Sequence, residues 1–74
     1  MIIVNCALRQ DDIIGIMENI EIENQKAFKF IKKQGIQIHF DCSVSDEQGA
    51  AAIAKSSIKA TELGKALFFN VTAQ

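Results

Sequence analysis

Between Ile36 and Cys42 apolar and polar residues alternate without a break: Ile36, Ile38, Phe40 and Cys42 against Gln37, His39 and Asp41. Successive side chains of a strand point to opposite faces, so Ile36 to Ser43 is predicted to be a strand with one dry face and one wet face. Such a strand needs a sheet around it and a layer to cover its dry face. Ile2, Val4, Cys6 and Leu8 alternate with Ile3, Asn5 and Ala7, which predicts a first strand over Ile2 to Leu8.

A chain of 74 residues forms a single compact domain, 1–74, because it is too short for two cores. Domains this small draw stability from disulfides, a metal or a partner. Cys6 and Cys42 fall on the apolar faces of their strands, where free thiols behave as small hydrophobes, and a disulfide would require those strands to be neighbours. No Cys-x-x-Cys pair is present, and His39, the one histidine, lies on the opposite strand face from Cys42, so no metal and no cofactor is expected. Self-association is the stabiliser that remains.

The segment Ile13 to Glu23 carries two periodicities. Ile13, Met17 and Ile20 fit a helix, whereas Ile14, Ile16, Ile20 and Ile22 alternate as in a strand. The β-branched residues flanking Gly15 favour the strand, paired as a hairpin with the first. Asn24 then reads as a helix cap, Ala27, Phe28 and Ile31 as a helical stripe, Lys29, Lys32 and Lys33 as its C-terminal turn, and Gly35 as its C′ residue. Ser45-Asp46-Glu47-Gln48 reads as a capping box that starts a second helix, running to about Leu63 and ending at Gly64, with Ala50, Ala51, Ile53, Ala54 and Ile58 inward. Leu67 to Ala73 closes the chain as a strand.

The expected fold is therefore α+β: a β-β-α-β-α-β domain with a mixed four-stranded sheet and two helices packed on one face. On that layout the uncovered face carries Ile3, Ala7, Ile13, Met17 and one of Phe68 and Phe69, more apolar surface than water accommodates. Ile3, Ile13, Met17 and Phe68 form the expected oligomer interface, most simply that of a homodimer.

The net charge of −1 supplies no long-range field for nucleic acid or anionic lipid. No apolar run approaches the ~20 residues of a membrane span, and no basic segment precedes an apolar one at Met1, so a cytoplasmic protein without a membrane partner is expected. There is no phosphate-cradling glycine motif. His39 and Asp41 share a strand face, and a carboxylate-oriented histidine is an ingredient of general-base and phosphoryl-carrier chemistry. Phe28 and Phe30 interleave with Lys26, Lys29 and Lys32, the one place where rings and cations alternate as in single-strand binders.

From Gly35 through Ala51 the order of glycine, alternating strand, Asp-Glu and alanine-rich helix resembles the closing strand and helix of the histidine-containing phosphocarrier proteins. The phosphorylatable His-Ala-Arg-Pro segment of that family is absent here, and His39 does not occupy its place. The leading expectation is a small non-enzymatic interaction or ligand-binding module acting as a homo-oligomer, with a protein or small-molecule partner. Behind it stand an enzyme subunit or phosphoryl carrier using His39 with Asp41, and a nucleic-acid binder working through Lys26 to Lys33.

Overall fold

The strand announced by its alternation is the second from one edge of the sheet. A computed structural model describes residues 1–74 as β1 (Ile2–Asn5), α1 (Gln10–Glu18), β2 (Glu21–Ile22), β3 (Gln25–Lys26), β4 (Phe28–Gln34), β5 (Gln37–Cys42), α2 (Glu47–Lys59), α3 (Glu62–Ala66) and β6 (Asn70–Ala73). The main sheet has the order β4-β5-β1-β6, and β2 and β3 form a separate hairpin. The α+β class and the four-stranded sheet with helices stand. Every neighbouring pair is antiparallel, however, so the sheet is not mixed. The reason lies in the connections. α1 carries the chain from β1 past β5 to β4, and α2 carries it from β5 past β1 to β6. Strands joined through a helix are thus next-but-one neighbours, which interleaves two split β-α-β units.

One core lies between sheet and helices. Ile2 and Val4 of β1, Ile38 and Phe40 of β5 and Phe28 of β4 meet Ile13 and Met17 of α1 and Ala50, Ala51, Ala54 and Ile58 of α2. The alanines keep α2 close to the sheet. Ile53, expected among them, is 42% exposed.

Two segments exchange the structures expected of them. Residues 13–18 are helix rather than strand: α1 covers 10–18 with Ile13 and Met17 buried, Ile20 is buried just beyond its end, and only Glu21–Ile22 are extended, as β2. The β-branched residues cost a few tenths of a kcal/mol each in a helix, whereas burying Ile13 and Met17 contributes about 1.5–3 kcal/mol apiece. Burial wins. The start of α1 carries no side-chain cap, since Arg9 precedes it in the left-handed region with φ 58°. Its first turn is held instead by Gln10, whose Nε2 donates to the carbonyls of Cys6 and Gly35, both at 2.9 Å.

Residues 24–35 are not a helix. Glu23 and Asn24, with φ 55° and 66°, are the central residues of a two-residue turn between β2 and β3, the type I′ arrangement. Gly35, with φ 60°, opens the two-residue Gly35–Ile36 turn between β4 and β5. A left-handed residue serves a helix end and a hairpin equally, so Asn24 and Gly35 fitted either structure. Phe30 settles against Phe40 edge to face, with centroids 6.1 Å apart.

The second helix is capped not by the expected Ser45–Gln48 box but one residue on, by Asp46, whose side chain accepts from the Gly49 N–H at 3.1 Å. It breaks before Gly64. Thr61 Oγ1 donates to the Ile58 carbonyl at 2.6 Å and accepts from the Gly64 N–H at 3.0 Å, which caps α3. Gly64 passes so near the end of α2 that a Cβ there would lie 1.8 Å from the Ile58 carbonyl oxygen.

These placements set three stability changes, each read by chemical denaturation. Gly15→Ala, in a helix with nothing within 4 Å of the added Cβ, should stabilise by about 0.5–1 kcal/mol. Met17→Ala should destabilise by about 2–5 kcal/mol. Gly64→Ala should destabilise by at least about 1–3 kcal/mol through overpacking. A stabilising Gly64→Ala would place α3 away from Ile58.

Candidate functional site

The sheet face turned away from the helices carries Ile3, Asn5, Gln37, His39 and Asp41 from the two central strands, by the strict alternation of β1 and β5. Ile3 and His39 stand directly opposite each other. Both are already covered, at 2% and 9% exposure. His39 Nδ1 lies 3.4 Å from Met1 Sδ, and Nε2 is enclosed without a hydrogen-bond partner. Asp41, two residues on, is exposed and opposite Lys29, and it makes no hydrogen bond to the ring. The histidine and carboxylate therefore share a face without forming a pair. Nε2 is thus closed to a phosphoryl donor or a substrate proton, and Nδ1 faces the Met1 thioether.

The expected interface residues separate. Ile13 and Met17 are fully buried beneath α1, a correction that follows directly from the helix replacing the strand. Ile3 is covered within the chain. With those three withdrawn, the outer face is largely polar and does not itself demand a partner. Phe68 is the exception among the four, because it is 100% exposed.

Around Phe68 lies the apolar surface that periodicity missed. Leu8 is 66% exposed and Ile36 54% exposed, although strand alternation had turned both inward. β1 ends at Asn5 and β5 begins at Gln37, so both residues sit in connections beyond the reach of the alternating rule. The β1–α1 loop, the β4–β5 turn and the α3–β6 loop meet at this end of the domain. Phe68 lines two adjoining hollows there. One, of about 320 Å³, includes Ile36 and Phe69, and the other, of about 210 Å³, includes Leu8, Ala66 and Leu67.

The lysines belong to strands rather than to a helix end. Lys33 pairs with Asp11 at 3.0 Å and Lys26 lies 3.8 Å from Glu21. Phe28 is 3% exposed and Phe30, half-buried, packs against Phe40, so no fully exposed ring stands among these cations. A groove of about 460 Å³ beside them brings Lys26 and Lys29 together with Glu18, Asp41 and Cys42. Its two cations and two carboxylates leave no net field for an anion.

Both cysteines are free. Their strands are indeed neighbours, but the register places Cys6 beside Ile36, six positions from Cys42 along β5. At ~3.4 Å per residue that is roughly 20 Å, far beyond disulfide reach. No three His, Cys, Asp or Glu residues are gathered as metal ligands. The chain matches no protein-family model, no curated protein and no solved structure.

Two measurements follow. A thiol reagent added to the native protein should label Cys42, which lines the groove, well before the buried Cys6; equal rates would contradict the burial of Cys6. His39→Leu should be neutral or stabilise by up to about 1–3 kcal/mol, since it removes an unsatisfied buried nitrogen. A large loss of stability would instead reveal a partner on Nε2.

Proposed function

We propose that the chain is a non-enzymatic interaction module that works as a homo-oligomer and engages an apolar segment of a protein partner at the end formed by Leu8, Ile36 and Phe68. The observation that carries this reading is the complete exposure of Phe68 beside two further large exposed apolar side chains. A phenylalanine in water forgoes the stabilisation that burial would give, and clustered exposed apolar residues mark interaction surfaces. Their placement in three connections on a rigid sheet is also the usual placement of binding residues. The enclosed Nε2 of His39 supplies no comparable support for a carrier, nor do the lysines of β3 and β4, two of which, Lys26 and Lys33, are paired with acids, for nucleic-acid binding.

The test uses the intact chain and a hydrophobic fluorescent probe, an anilinonaphthalene sulfonate. The native protein should bind it, and the double substitution of Phe68 and Leu8 by serine should abolish that binding without lowering the melting temperature, because neither side chain is buried. Sedimentation equilibrium should give a mass above the monomer's 8.2 kDa. A protein that neither binds the probe nor self-associates at hundreds of micromolar would refute the proposal.

A further inference from the structure

We infer that the free edge of β6 is the self-association surface, where it pairs antiparallel with β6 of a second copy about a two-fold axis centred near Val71. The inference rests on the oligomeric reading above and adds where the copies meet.

The two edges of the sheet are built differently. β4 carries Lys29, Lys32 and Lys33 and is interrupted by a bulge between Phe30 and Lys32. Charges and bulges are the devices that keep an edge strand from pairing with another chain. β6, Asn70-Val71-Thr72-Ala73, has no charge, no proline, no glycine and no bulge. Its outer hydrogen-bonding groups can be identified from the ladder. The Gln74 N–H donates to the Met1 carbonyl at 2.7 Å. Hydrogen-bonded and non-hydrogen-bonded pairs alternate in an antiparallel ladder, so Ile3–Thr72 and Asn5–Asn70 are hydrogen-bonded, whereas Ile2–Ala73 and Val4–Val71 are not. The N–H and C=O groups of Val71 and Ala73 therefore point off the end of the sheet, where no strand follows.

The occupant is read from charge. α2 lies against β6 and runs opposite to it, its first residues beside Ala73 and Gln74 and its Lys55 and Lys59 beside Phe68 and Phe69. At the Phe68–Phe69 end the groove beside the strand carries Lys55, Lys59 and Lys65. At the Ala73–Gln74 end, Asp46 and Glu47 flank it; Glu47 is paired with the Met1 ammonium and Lys65 with Glu62, which leaves Asp46 facing Lys55 and Lys59 as the complementary charges. A two-fold axis through Val71 sets Phe69 of one copy opposite Ala73 of the other, so each basic end meets an acidic end, twice. The two α2 helices then lie side by side with opposed dipoles, a favourable arrangement. Val71 meets Val71, which keeps inner faces with inner faces, as side-chain period demands. Up to about six main-chain hydrogen bonds join the copies, two for each hydrogen-bonded pair. A two-fold contact of this kind uses the same patch on both copies, and self-complementary charge along it is what that symmetry requires.

The test is sedimentation equilibrium of the full chain with Val71→Pro. The Val71 N–H is unused within the chain, and proline is tolerated at an edge position whose N–H faces solvent. Val71→Pro should keep the helical circular dichroism of the wild type while raising the dimer dissociation constant by roughly 30-fold or more, from two lost donors per dimer. Lys55→Glu with Lys59→Glu, both exposed, should also weaken the dimer. In the wild type, the Val71 and Ala73 amides should exchange with solvent more slowly as protein concentration rises. A dimer that survives Val71→Pro, with concentration-independent exchange at Val71 and Ala73, overturns the edge assignment and leaves the oligomeric reading standing. A wild type that stays monomeric at hundreds of micromolar overturns both.

Discussion

Phe40 and Ile38 on β5, with Ile2 and Val4 on the strand beside it, form the floor on which the rest of the domain is laid. All four are fully buried. Neither helix would be stable alone at these lengths, since short helices in water are marginal without an apolar surface to pack on. α1 reaches the floor through Ile13 and Met17, and α2 through its alanines and Ile58. Because each helix must span one intervening strand, the same packing also dictates the interleaved, wholly antiparallel sheet.

The dependence on this floor explains where the surface is finished and where it is not. The outer sheet face is closed by its own side chains, with Met1 lying against His39 and Ile3 enclosed between strands. One edge is guarded by lysines and a bulge. The end around Phe68 and the edge of β6 lack both kinds of finish. An incompletely finished small domain loses part of the stabilisation that a larger core would have, which is the physical motive for the association proposed above.

His39 illustrates how a strand pattern can suggest chemistry that packing then denies. Two polar residues at i and i+2 share a face, and that much followed from the pleat. Whether they touch depends on what crosses beside them. Here Met1 takes one side of the imidazole and the other nitrogen is closed off, while Asp41 stays in water opposite Lys29.

The amino-acid sequence determined the α+β class, the strands around β1 and β5, the capped second helix and the burial of Cys6, because strand alternation and cap chemistry act over a few residues. It misassigned Ile13 to Glu23 as a strand, since isoleucines and a methionine satisfied both periods at once, and it misassigned 24–35 as a helix, where Asn24 and Gly35 suit a helix end and a hairpin turn alike. Only the tertiary structure decided these. Placing Ile13 and Met17 over the floor outweighs the local preferences of their β-branched neighbours, and placing Phe28 and Phe30 in a strand beside Phe40 buries rings that a lysine-rich helix would have left partly wet. The exposed end at Leu8, Ile36 and Phe68 was hidden for the complementary reason: it is assembled from three connections far apart in the chain, and no local period describes residues that meet only after the sheet has formed.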